Sequence, residues 1–224
     1  MQKAYGVKLS PEKLAIARLS LQDLVTDKYL SEYLARLLAP IWRDDISADQ
    51  IKQAMLELIV QMQIKCVSRL SADKQAIFIG HMASLGRAMS NSACKAMFLG
   101  QLDTDAATEI ERRFIVSLPL AQFNAINQVY RDAANAELAG YPNARTINPK
   151  QAQLAETVLG KTWVERIGRK GPIALATMHR VVVDVPNATA DELCFIMTEM
   201  LDAMREMPEP YRSWQYTRFI ESMQ

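Results

Sequence analysis

The chain has 224 residues, half of them apolar, and 26 basic against 25 acidic side chains give a formal charge of +1. That balance supplies no global attraction to nucleic acid or to an anionic membrane surface. No window reaches the roughly 18 continuous apolar residues of a membrane span, while the length is ample for a sizeable core.

The opening MQKAYGVKLSPEKLAI lacks the apolar run of a signal peptide, which favours a cytoplasmic chain; a periplasmic one would need an export signal ahead of this sequence. Ser10 and Pro11 start a short helix with Leu14, Ala17, Leu19 and Leu21 as its apolar positions. A second helix is expected from about Thr26 to Leu38, with Tyr29, Leu30, Tyr33, Leu34, Leu37 and Leu38 in a wide stripe that ends before Pro40. Two further segments begin alike, SADQ at Ser47 and SADK at Ser71, each with Ser as N-cap and an Asp near the positive helix end. A very short connection around Leu70 makes these two a helical hairpin. In the second, His81 falls on the stripe of Ile77, Phe78, Met82, Leu85 and Met89, which reads as a hydrogen-bonded core or boundary histidine.

Asp103 caps a helix carrying Ile110, Phe114 and Ile115, and Pro119 opens another with Phe123, Ile126, Val129 and Tyr130. The loop from Gly140 to Pro149 is the best internal boundary; it reads as a long surface loop inside one helical domain over 1–224, with a boundary between two lobes as the alternative. After Asn148, Pro149 begins a helix that leads into VLGKTWVERIGRKGP at 158–172. There Trp163 and Ile167 are four apart and share the buried side, while Arg166, Arg169 and Lys170 share the solvent side near the helix end, whose dipole favours cations. Gly171-Pro172 stops that helix. The run Val181-Val182-Val183 before Asp184 and Pro186 suits a short extended segment. Thr189 then caps a helix with Leu193, Ile196, Met197, Met200 and Met204 on one face, and an aromatic tail follows Pro208 and Pro210. The expected fold is all-α, an irregular multi-helix bundle with one short strand pair near 180–186.

Several motifs fail as chemistry. Gly160-Lys161-Thr162 has Ala155 where a phosphate loop needs glycine, and its surroundings are helical. Ser92 and Lys95 have the spacing in which a lysine activates a serine, but the partner strings Ser-Asp-Asn and Lys-Thr-Gly are absent. His81 and His179 are the only imidazoles and neither sits in a helical metal-ligand pair. Cys66, Cys94 and Cys194 lack zinc-knuckle spacing; Cys66 with Cys94 is the candidate bridge, with free thiols the alternative. No cofactor or metal site is expected.

Residues 158–180 hold 5 cations and 1 acid, and residues 181–224 hold 3 cations and 8 acids, so the two segments can neutralise each other within the fold. The leading expectation is a non-enzymatic helical protein-interaction module, of the kind of a bacterial inhibitor or immunity protein, with self-association compatible. Its candidate partner-binding residues are Arg166, Arg169, Lys170, Arg180, Met204, Tyr211 and Trp214, which combine charge with aromatic and flexible apolar surface. Two alternatives remain open: a helical hydrolase-like enzyme assembled around Ser92, Lys95 or His179, and an anion or nucleic-acid binder through Lys161, Arg166, Arg169, Lys170 and Arg180.

Overall fold

A computed structural model describes residues 9–26, 39, 67–140, 142–143 and 145–222, and among these the secondary structure is helical, with no strand. The helices are α1 (Pro11–Thr26), α2 (Ala72–Ala88), α3 (Asn91–Phe98), α4 (Thr104–Ser117), α5 (Leu120–Ala139), α6 (Pro149–Gly168), α7 (Pro172–Val183), α8 (Ala190–Glu206) and α9 (Tyr211–Ser222). The stripe expected from Tyr29 to Leu38 and the segment expected to be helical from Ser47, up to Cys66, lie outside the described residues, which resume at Val67 before the turn at 68–70.

Capping chemistry sets most of the starts. Asp103 accepts the Ala106 N–H at 2.9 Å, and Asn148 and Gln151 exchange side-chain and backbone bonds at 2.9 Å each ahead of Pro149. Thr189 and Glu192 form a second such box before α8. Ser71 occupies the N-cap position of α2 but its side chain accepts no capping bond, whereas Ser90 accepts the Ala93 N–H before α3. Gly140 and Gly171 take φ of +63° and +103°, values that a side chain would strain, and they end α5 and separate α6 from α7.

The expected extended run at 181–183 is the last turn of α7, closed by the Asp184 N–H on the Arg180 carbonyl at 3.0 Å. Pro172 presets the first helical φ, and Met178 and Val181, three apart, both reach the core. Helix propensity costs β-branched residues only a few tenths of a kcal/mol each. Burying Val181 to 1% exposure returns more than that, about 1.5 kcal/mol.

Helix α8 is the hub, packing on α2, α3, α6, α7 and α9. Its approach to α2 is close enough that a Cβ on Gly86 would lie 2.8 Å from Thr198 Cγ2. The larger core gathers Phe78 and Ile79 of α2, Phe123 and Ile126 of α5, Leu201 and Met204 of α8, and Tyr216 and Ile220 of α9. A second gathers Ile167 of α6, Met178 and Val181 of α7, and Leu193 and Ile196 of α8. Trp163 touches both. Its half-buried indole makes Trp163→Ala an expected loss of about 2 kcal/mol in urea unfolding, below the range for a fully buried tryptophan.

Candidate interaction surface

The basic and acidic segments do neutralise each other. On α8, Glu199, Asp202 and Glu206 stand three and four residues apart, so they form one stripe facing α6. Arg166 donates to Glu199 at 2.7 Å, to Asp202 at 3.0 Å and also to Glu206. Lys170 lies 3.3 Å from Glu199 and Arg169 donates to Glu206 at 2.7 Å. From α2, Arg87 pairs with Asp202, and Arg205 reaches the same carboxylate at 3.2 Å. Arg166 is thus not on the solvent side expected for it: its side chain is 20% exposed, against 6% for Glu199 and 12% for Asp202. The helical angle explains the difference. Arg166 lies about 100° from Ile167 around the axis, at the boundary of the buried face, where the acidic stripe of α8 draws it inward.

Arg180 of α7 is likewise engaged, pairing with the capping-box Glu192 and holding that carboxyl below the usual carboxylate range. Met204 is 1% exposed and has no surface to offer a partner. Tyr211 and Trp214 form an edge-to-face pair with centroids 5.4 Å apart, both half-buried at the start of α9. Of the candidate residues, the structure therefore brings Arg166, Arg169 and Lys170 together, and separates them from Arg180, Met204 and the aromatic pair by element and partner.

The bridge joins Cys94 of α3 to Cys194 of α8, with Cα atoms 5.6 Å apart, so Cys94 is taken and not open to the candidate pairing with Cys66, which lies outside the described residues. Packing of α3 on α8 places both sulfurs in a buried layer, an encounter between residues 100 apart that spacing cannot reveal. Nearby, the Lys95 ammonium donates to the Ala188 carbonyl at 2.6 Å and so ties α3 to the turn before α8. Ser92 is exposed, and His179 is exposed on α7. The segment around Gly160-Lys161-Thr162 is continuous helix, with Thr162 Oγ1 donating to the Val158 carbonyl at 2.9 Å.

A polar group inside the bundle escaped sequence reading. Tyr130 of α5 donates its hydroxyl to Glu111 of α4 at 2.8 Å, and His81 Nε2 of α2 lies 3.9 Å from the same oxygen, too far for a hydrogen bond and without another partner. Burial alone pushes the Glu111 carboxyl up, but the His81 imidazole and the Tyr130 hydroxyl outweigh it and hold the group below its usual 4.5. Burial, with the Glu111 charge, raises the Tyr130 phenol well above 10. A depressed carboxyl pKa stabilises the fold above the unfolded value and ceases to as pH falls through the folded one. Tyr130→Phe should therefore cost about 1.5 kcal/mol at neutral pH. That cost should shrink below pH 4.5, as urea titrations at several pH values would show.

What remains open is the outer side of α7. Ile173 is 83% exposed, Val183 73%, Val182 54% and Leu175 38%. Pro172, Ala176 and His179 are exposed among them. Leu175 Cδ1 lies 3.9 Å from where a Gly168 side chain would begin, and Val164, one turn before Gly168, is 49% exposed. The apolar strip therefore continues onto α6. Its sequence signal is an uncharged IALATM ahead of HRVVV, a helix apolar nearly all round. Reading the valines as extended hid it.

No helix among the described residues is long and apolar enough to cross a membrane. No protein-family model, no curated protein and no solved structure matches the chain.

Proposed function

We propose that the chain is a non-enzymatic, disulfide-stapled helical module whose contact face for other protein is the outer side of α7. The observation that carries this reading is the continuous exposed apolar strip of Leu175, Val182 and Val183, extended by Val164. An apolar patch of this kind, rimmed by polar side chains, marks an interaction surface more often than idle exposure. The cations expected to recognise an acidic partner are engaged within the fold, which moves the contact from charge to apolar surface. The same pairing weighs against the anion-binding alternative. Lys95, bound to backbone carbonyls, weighs against the hydrolase alternative.

The buried Cys94–Cys194 bridge supports work in an oxidising compartment such as the periplasm, because reducing cytosol keeps thiols free. Capture experiments with the wild type beside Val182→Asp test the contact face. Proteins retained by the wild type and lost by the variant are the expected result; identical capture by both would refute it.

A further inference from the structure

We infer that the partner of the α7 face is a second copy of this chain, the two α7 helices packing antiparallel about a twofold axis close to His179. The inference rests on the reading of α7 as the contact face and names what covers it.

The spacing is that of a helix-packing seam. Pro172, Leu175, His179 and Val182 follow one another by three, four and three, the repeat that keeps one row of side chains against a neighbouring helix. Each of these is exposed, and Ala176 and Val183 flank the row. The two apolar side chains flanking His179 on this row are placed almost evenly about it. Leu175 lies four residues before His179 and Val182 three after it, so in an antiparallel pair Leu175 of each copy meets Val182 of the other. An isologous contact requires this self-complementarity, whereas an unrelated partner does not.

Charge selects the same arrangement. Asp184, exposed at the C-terminal end of α7, is held only by its neighbour's amide, that of Asn187 at 3.0 Å, among the bonds of the described residues. In the antiparallel pair Asp184 faces the first turn of the other α7, where backbone N–H groups lack helical acceptors. A parallel pair would instead set Asp184 against Asp184 and align the two helix dipoles. The contact offered is one face of a helix of 12 residues, small beside the roughly 800 Å² per partner of a standard stable interface. Association should therefore be weak and concentration-dependent.

Sedimentation velocity of the full chain between about 1 and 100 µM reads this directly, since mass action drives a weak dimer over such a range. The wild type should pass from monomer to dimer. Val182→Asp and, separately, Val183→Lys should stay monomeric at the upper concentration with unchanged circular dichroism, whereas Ile77→Asp, on the exposed side of α2, should dimerise as the wild type does. A dimer that survives both α7 substitutions overturns the assignment to this face. A wild type that stays monomeric throughout overturns self-association, and thiol labelling of Val182→Cys, located by peptide mass, then separates two cases. Rapid modification leaves the α7 face open for a different protein, so the contact-face reading stands. Protection shows that the face is already covered within the monomer, and the contact-face reading falls as well.

Discussion

Replacing Cys94 and Cys194 together by Ala should lower the free energy of unfolding by about 5 kcal/mol. The bridge closes a loop of 100 residues, and restricting so long a loop in the unfolded chain is worth about 4.7 kcal/mol in the chain-entropy description. Both sulfurs are buried, Cys94 at 0% and Cys194 at 5%, so the loss of packing adds to the entropic term. The effect should concentrate on α3, a helix of 8 residues that is too short to persist alone. Urea unfolding of the oxidised wild type beside the double variant measures the total, and hydrogen exchange locates it. A difference under about 1 kcal/mol would show that α3 is held by its other contacts.

The second large effect belongs to Arg166. Arg166→Met keeps the stem and removes the guanidinium, leaving Glu199 and Asp202, 6% and 12% exposed, with fewer counter-charges in a partly buried layer. Breaking a buried pair from one side costs about 3 to 5 kcal/mol because the remaining charge is uncompensated. Lys170 and Arg87 still reach these carboxylates, which places the expected loss near 3 kcal/mol. Adding Glu199→Gln to Arg166→Met should restore part of that loss, since the orphaned carboxylate is its source. Arg169, 62% exposed on a single rim contact, should change stability by less than about 0.5 kcal/mol when cut to Ala.

The contrast between these two arginines marks what could be read from the chain. Caps and stops are local, so Asn148-Pro149, Asp103, Thr189 and Gly171-Pro172 announced their helices correctly. Neutralisation of 158–180 by 181–224 was visible as a sum of charges. Which cation turned inward was not, because Arg166 sits at the edge of the buried face and its position depends on where α8 docks. A fixed rule would have helped: Glu199, Asp202 and Glu206 at i, i+3 and i+7 already describe a stripe awaiting cations.

Other features depended on tertiary contacts alone. Cys194 meets Cys94, and His81 and Tyr130 meet Glu111, across separations that no periodicity encodes. At 181–183 a real local preference for extended backbone lost to the burial of Met178 and Val181 at helical spacing. The candidate site suffered most from that reading, since treating the valines as a strand divided the row from Pro172 to Val182 that the helix unites.

Hydroxyl-radical footprinting, performed on dilute purified protein and again in native extract, compares the α7 face with the other surface features in one measurement. In dilute solution His179, Leu175, Val182 and Val183 should be oxidised in keeping with their exposure. In the extract those four should be protected while Tyr211 and Trp214, half-buried on α9, remain as they were. Unchanged oxidation of α7 together with new protection of Tyr211 and Trp214 would contradict the assignment and move the interface to α9.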